Sequence, residues 1–335
     1  MGNITFSFGS GLNDTIFGKA QAPVRTMIER RAEAFEQMSV LKKIFHFGPS
    51  KSFGELISSM TGMDGFRPVG EGGAYPVDGM EEGPKKLIEH MTWKDSFLIT
   101  REAVDDAKVL DLKKRPEGFV TGYYRTREQF GAAMLVGGLK GESMQFRGRT
   151  FDTTAADKKP LFSTGHTSKV DKKLVQSNKF QGAFSVDTLS EVQTRMQNAM
   201  DEKGEMLSIA PDTILIPNDA GLKRDVFAAI GADKDPDTSN NGFNFQFGMW
   251  NVIVWPYLND LLKVKSGDKP WILMDSAYNE LYEGACWLER VKLEVKSDVD
   301  ENDNNRWKGY ARFGVGFHDW RAFAIGGVSD GTALE

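Results

Sequence analysis

Gly70-Glu-Gly-Gly-Ala-Tyr-Pro76, then Glu82-Gly-Pro84, then Phe97-Leu-Ile-Thr-Arg-Glu102, is the stretch on which the reading of this chain turns. Around it glycines stand at Gly62, Gly65, Gly70, Gly72, Gly73, Gly79 and Gly83, and prolines at Pro68, Pro76 and Pro84. Glycine costs backbone entropy when it is fixed in a helix or strand. Proline has no N–H to give a ladder. Residues 62–84 therefore form neither a helix nor a central strand. The segment is too long for a hairpin turn, and loops of this size are functional or are held by a partner. Leu87 to Ile99 mixes apolar and polar residues in a strand-like way, and Thr100 with Glu102 reads as a helix start. The segment predicts a long extended excursion that returns through a strand into a helix.

Upstream, residues 1–50 do not read as a compact unit. Gly and Ser dominate the first positions, and a charged helix is predicted from about Val24 to Lys43, with Met27, Ile28, Phe35, Met38 and Leu41 as its apolar members. Its polar face is wide. It is either an ordinary amphipathic helix or an arm that docks on a neighbouring subunit.

Downstream, Pro116 and Glu117 open a long helix to about Leu139, with Phe119, Tyr123, Phe130 and Met134 at helical intervals. Gly137, Gly138 and Gly141 end it. From about residue 180 the pattern is mixed α/β. Thr188-Leu-Ser-Glu191 reads as a capping box, Thr213–Ile216 as a buried strand, and Asn218 as the cap of a helix to Ile230 closed by Gly231. Asp233 to Gly242 is an exposed loop, and Val252–Trp255 and Trp271–Met274 are strands. Val291, Leu293 and Val295, a polar turn over Ser297 to Asn305, and then Trp307, Ala311, Phe313, Val315 and Phe317 predict a long hairpin with one buried face.

Composition narrows the function. The chain has 335 residues, 40% hydrophobic and 27% charged, enough for one large or two ordinary domains. No apolar run approaches the roughly 18 residues of a membrane helix, so no membrane partner is expected, and the N-terminus does not read as a signal peptide. The net charge is −5, and the short basic runs Lys85-Lys86, Lys113-Lys114-Arg115 and Lys172-Lys173 read as solvated turns. DNA near such a protein is expected to be confined, not recognised. The single cysteine, Cys286, sits in an apolar run and reads as a core residue.

Catalytic motifs are missing. There is no phosphate-binding glycine loop, dinucleotide fingerprint, H-E-x-x-H or G-x-S-x-G. His46, His90, His166 and His318 stand singly, without metal-pair spacing. Asp298-Val-Asp300-Glu-Asn302 has the oxygen spacing that starts a calcium loop, but Asp303 replaces the required Gly and Gly309 the bidentate Glu. It reads as a solvated turn. Adjacent carboxylates at Glu81-Glu82 and Asp105-Asp106 point apart and make no acid/base pair. No catalytic, cofactor or metal residue is expected.

The glycine-rich run with Glu82-Gly-Pro84 and Phe97–Glu102 resembles the extended E-loop of tailed-bacteriophage major capsid proteins of the Hong Kong 97 type. The long helix at 117–140 is similar to that family's spine helix. Lys159-Pro-Leu-Phe-Ser-Thr-Gly-His166 resembles a segment of Mu-like head proteins. Pro211–Pro217, Val252–Leu258 and Trp271–Met274 resemble the A domain of the same proteins. The likeness runs from about residue 20 to 327. It implies an α+β fold with an N-terminal arm (1–50), an E-loop with flanking strands (51–100), a P domain with the spine helix (101–180), an A domain (181–290) and a C-terminal β hairpin completing the sheets (291–335).

The resemblance further implies a shell subunit that forms hexamers and pentamers of an icosahedral head around double-stranded DNA contacted non-specifically. Its other expected partners are a scaffolding protein, a portal, and decoration or head–tail connector proteins. Assembly is expected in the host cytoplasm. No long coiled coil precedes the arm, which suggests a separate scaffolding protein or none. Some family members crosslink an E-loop lysine to a neighbour's asparagine. Lys85 and Lys86 lie in the right stretch, but no Asn partner or carboxylate base is identifiable. The expected interface residues are Phe17, Phe45, Phe66, Glu71, Tyr75, Glu82, Lys85, Lys86 and Trp93, with Phe6, Phe8 and Phe47 as further aromatic anchors. The rivals are an encapsulin shell of the same fold, an α/β hydrolase, and a tail tube subunit.

Overall fold

The computed structural model describes residues 5–6, 18–60, 66–77, 79, 82–102, 109–231, 244–263, 269–302 and 304–334. In chain order the elements are β1 (Thr5–Phe6), α1 (Gly18–Met38), α2 (Leu41–Ile44), β2 (His46–Pro49), β3 (Gly54–Met60), β4 (Glu82–Glu89), β5 (Met91–Ile99) and α3 (Val109–Lys140). The short strands β6 (Ser143–Phe146), β7 (Arg149–Asp152), β8 (His166–Thr167) and β9 (Val175–Gln176) follow. Next come α4 (Val186–Gln197), β10 (Thr213–Ile216), α5 (Ala220–Ile230), β11 (Asn251–Val254), a 3-10 turn (Pro256–Lys263) and β12 (Trp271–Met274). The chain closes with α6 (Ser276–Tyr282), β13 (Ala285–Val299), β14 (Asn305–Phe317) and β15 (Phe323–Gly326).

Two sheets carry the chain. In the first, β13 and β14 form the predicted hairpin, β5 pairs antiparallel with β14, and β1 and β2 pair parallel with β13. Alternation along β14 puts Trp307, Ala311 and Phe313 inward, each about 1% exposed. The long helix α3 lies on this face. Trp93, Phe130, Trp287 and Phe313 interlock, with Trp93 stacked on Phe313 at 5.0 Å and Trp287 on Phe313 at 4.9 Å. The helix α1 packs on α3. Ile28 and Ala32 are fully buried in one cluster with Val120, Leu293 and Trp307, and Phe35 stacks on Tyr124. Burying an isoleucine such as Ile28 contributes roughly 1.5–3 kcal/mol.

The second sheet has the order β11-β10-β12-β15, and every residue of β10, β12 and β15 is buried. Such continuous apolar runs suit strands covered on both faces.

Glycines in β14 permit two close approaches. A Cβ on Gly309 would lie 2.4 Å from the Phe119 ring, and one on Gly314 would lie 2.4 Å from the Glu89 carbonyl oxygen. A phenyl ring can tilt away, whereas the Glu89 backbone is fixed. Gly314→Ala is therefore expected to cost roughly 1–3 kcal/mol by overpacking, read as a lower urea midpoint without loss of slope.

The hairpin tip holds the oxygen-rich run rejected above as a calcium loop. The carboxylates of Asp298 and Asp300 are already engaged. Asp298 accepts Arg306 Nη2 at 3.0 Å and also pairs with Lys308, and Asp300 accepts the amides of Asn302 and Asn304. The bond from Arg306, helped by Lys308, holds the Asp298 carboxyl down at about 2. Its folded-state value thus lies below the unfolded one. The bracket is complete above the ordinary carboxylate range and is lost as pH falls through about 2. A carboxyl NMR titration is expected to give Asp298 the low midpoint, and Arg306→Ala is expected to move it upward.

The structure departs from the sequence reading at several boundaries. Region 1–50 is not free of the core, because residues 28–49 supply Ile28, Leu41, Ile44 and Phe45 to it. Leu87 to Ile99 is two strands broken at His90, whose N–H bonds the Phe53 carbonyl. The long helix starts at Val109, not at Pro116, whose ring is buried inside it. Proline removes one helix hydrogen bond, and the flanking turns carry on across the gap. The capping box belongs to Ser185 and Thr188, so α4 starts one turn before the expected Thr188 cap. Asp219, not Asn218, caps α5, because Asn218 Oδ1 is taken by Lys223 and its N–H by Asn259. Of the helix expected after Thr100, Arg101 and Glu102 are helical, and the remainder of that expectation lies outside the described residues.

Candidate assembly surface

The segment on which the sequence reading turned is a limb. Its root is the antiparallel ribbon β3–β4, with Leu56 opposite Leu87, and its described tip runs through residues 66–77. Side chains alternate across β4. Gly83, Lys86 and Ile88 face inward, while Lys85, Leu87 and Glu89 face out. The inner face is locked to the subunit. Ile88 is 2% exposed against Cys286 and Leu288, and the Lys86 ammonium donates to Asp152 Oδ2 at 2.6 Å and Thr154 Oγ1 at 2.8 Å.

The outer face and tip are the reverse. Phe53 and Leu56 are more than half exposed, and Phe66, Tyr75 and Val77 are essentially bare at 109%, 95% and 94%. Every described residue from 66 to 77 is exposed. The one turn there, closed by Gly73 N–H on the Gly70 carbonyl at 2.9 Å, has Gly72 at φ 77°, a conformation that suits glycine. Burying each large apolar side chain elsewhere would release roughly 1.5–3 kcal/mol. Large apolar side chains held away from their own core make this limb the candidate contact surface.

The structure divides the sequence-predicted residues. Phe66, Glu71 and Tyr75 stand exposed on the tip, and Glu82 and Lys85 are exposed at the root, paired with each other at 2.6 Å. That pairing lowers the Glu82 carboxyl below its ordinary range. Three others face their own subunit. Phe45 is 3% exposed and packs edge-on to Trp287, Trp93 lies among Phe130, Phe151 and Phe313, and Lys86 is the buried ammonium already described. Phe47 likewise stacks on Trp287 at 5.5 Å. Phe45 belongs to the core, Phe47 and Trp93 pack partly buried against it, and Lys86 is buried at the root of the limb. Phe8 and Phe17, and the side chain of Phe6, lie outside the described residues.

A second apolar surface was missed. In the turn after α5, Asn244 and Gln246 are buried, while Phe245, Phe247 and Met249 are about half exposed. This inverts the usual order because the polar side chains serve as rivets. Asn244 Nδ2 donates to the Ala229 carbonyl at 2.6 Å, and Gln246 Nε2 donates to Gln193 Oε1 at 2.8 Å. The alternation Asn-Phe-Gln-Phe was visible in the sequence, but it resembles a strand and gives no sign of which set faces in.

Burial pushes the Cys286 thiol up, away from thiolate formation at neutral pH. No group of three or more His, Cys, Asp or Glu able to hold a metal occurs among the described residues. No helix there is long and apolar enough to cross a membrane.

The family model described as "Phage capsid protein" matches residues 84–326. The chain belongs to that family. No curated protein sequence matches it. Among solved structures, this capsid protein is similar to a chain of Mycobacterium phage Patience, at 12% identity and TM-score 0.52 over 99% of this chain and 94% of that one. It is similar to the capsid of cyanophage P-SCSP1u, at 8% identity and TM-score 0.52 over 89% and 88%. It is also similar to the SrpI encapsulin of Synechococcus elongatus, at 10% identity and TM-score 0.51 over 88% and 89%. Identities this low speak for the fold alone, which is that of Hong Kong 97-type capsid proteins. The family match spans the return strand β4 to β15, so it includes α3, the second sheet, and β5, β13 and β14 of the first, while β1, β2 and β3 lie before it. A multi-subunit capsid, and hence the virion, is where such a protein resides.

Proposed function

We propose that this capsid protein is a major head subunit that forms hexamers and pentamers of an icosahedral shell, and that its limb lies across a neighbouring copy. The exposed apolar limb carries this reading. Phe66 and Tyr75 would be its anchors, with Glu71, Glu82 and Lys85 as the polar rim, and Phe17 would belong to an N-terminal arm contact. In this reading 1–50 is the arm, 51–100 the E-loop, 101–180 the P domain, 181–290 the A domain and 291–335 the closing hairpin. The shell holds double-stranded DNA without reading its sequence, in keeping with a net charge of −5. Assembly takes place in the host cytoplasm with a scaffolding protein, a portal and decoration or connector proteins, and the segment 159–166 favours a Mu-like head. The subunit is not an enzyme and needs no cofactor.

An encapsulin is the second reading, favoured by the likeness to the SrpI shell. Expression of the full chain, alone and with its genomic neighbours, separates the two. Negative-stain microscopy is expected to show closed shells, and proteomics of the purified particles is expected to find phage head proteins. A co-purifying enzyme cargo in the absence of such proteins would support the encapsulin reading. Soluble monomers under every condition would sink both.

A further inference from the structure

The limb is tied to its own subunit at the root by ammonium groups on backbone carbonyls. Lys169 Nζ donates to the Glu82 carbonyl at 2.7 Å and to that of Gly83 at 3.1 Å. Lys203 Nζ donates to the Gly79 carbonyl at 3.2 Å. Both lysines come from loops far along the chain, and the two loops share one seat, Glu202. Its carbonyl accepts Ser168 Oγ at 2.7 Å, its Oε2 accepts the Lys169 N–H at 2.6 Å, and its Oε1 accepts Arg321 Nη2 at 2.9 Å.

Arg321 is 8% exposed and also reaches Asp319 Oδ1 at 3.2 Å, while Asp319 Oδ2 accepts the Tyr278 hydroxyl at 2.7 Å. Burial opposes charge on Asp319, yet Arg321 and the Tyr278 bond hold its carboxyl below the ordinary range. A continuous chain of hydrogen bonds thus runs from Tyr278 on α6 to the carbonyls where β4 begins.

We propose that Lys169 and Lys203 form a latch that sets the angle of the limb, with the Glu202–Arg321 pair as its fixed seat. The two parts differ in strength. A lysine bond to a neutral carbonyl biases an equilibrium by roughly tenfold, which is enough to favour one angle and little enough to release. A buried, paired guanidinium is far harder to break. An icosahedral shell needs one sequence to make several slightly different contacts, so a limb with a releasable root meets that need. The latch rests on the reading that the limb contacts a second copy.

The test uses the full chain with K169M/K203M, against the charge-keeping K169R/K203R. In the unassembled subunit, amide hydrogen exchange across 82–89 is expected to rise at least tenfold in the methionine pair and to stay near native in the arginine pair. Amides of β12 report the global fold and are expected to be unchanged in both. Shells of the methionine pair are expected to spread in diameter where native shells are uniform. Unchanged exchange at 82–89 would overturn the latch, and so would faster exchange with shells of one native diameter. Exchange is measured before assembly, so it judges the latch even if the limb proves not to contact a second copy. Deletion of the limb tip decides that separate question.

Discussion

Deleting residues 66–77 and joining the ends with a short glycine-serine link is expected to leave a folded subunit that closes no shell. The first half follows from burial. Every residue in that range is exposed, and none belongs to a core cluster. Surface changes of this kind move stability by roughly 0.5 kcal/mol, and shortening a loop changes its closure entropy only slowly. Melting by far-UV circular dichroism should therefore match the native chain to within a few degrees. The second half follows from what is lost. Phe66, Val69, Tyr75 and Val77 are large apolar side chains without a core of their own. If they anchor on a neighbour, their removal takes away several kcal/mol from each contact, and a shell repeats that contact throughout. Sedimentation and negative stain should show capsomers or monomers only. Shells of native diameter from the deletion chain would refute the role assigned to the limb. Tyr75→Ser alone is expected to weaken assembly in the same direction by a smaller factor.

What the sequence disclosed follows physical rules. Strands with unbroken apolar runs, such as Thr213–Ile216 and Trp271–Met274, were legible to the residue because nothing competes with burial on both faces. The limb was legible because glycine and proline exclude the alternatives. Helix starts were less so. Thr188 and Asn218 are good caps in isolation, and only the competing bonds of Ser185, Asp219 and Lys223 decide the position. Phe45, Phe47 and Trp93, expected as interface aromatics, pack on their own subunit for a related reason. An aromatic near a chain end looks equally suited to a neighbour or to a distant strand, and here β13 and β14, more than 180 residues on, supply the partners. The lysine latch and the buried Arg127 were invisible for the same cause, since each depends on groups far apart in sequence.

Arg127→Met is expected to destabilise the subunit by roughly 3–5 kcal/mol, the cost of breaking a buried ion pair from one side. Arg127 stands on α3 with 7% of its side chain exposed, and its Nη1 and Nη2 reach Glu36 at 3.3 Å and Glu289 at 2.5 Å. Its guanidinium also lies within 6.0 Å of the ring centroids of Trp287, Tyr123, Tyr124, Phe47 and Phe313. One cation thereby joins α1, β2, α3, β13 and β14, the elements that hold the N-terminal region onto the first sheet. Burial alone would lower its pKa, and the Tyr123, Glu289 and Glu36 oxygens outweigh that, so it stays charged.

Methionine keeps most of the volume, so the loss reads the charge and not a cavity. The pH dependence gives the sign. Burial works against ionised Glu36, while the bond from Lys42 and the charge of Arg127 hold its carboxyl below the ordinary range. Without Arg127 that carboxyl is held down less, so the folded variant binds a proton at higher pH than the folded native chain does. The folded state then takes up protons as pH falls, and the deficit shrinks on moving from about pH 7.5 toward roughly pH 4–5. Adding Glu36→Gln and Glu289→Gln to Arg127→Met removes the carboxylates that lost the guanidinium and should restore much of the loss, with a coupling that a mutant cycle measures. Urea unfolding at both pH values decides the matter. A deficit below about 1 kcal/mol, or one that grows in acid, would mean that the aromatic packing holds these elements and the buried cation does not.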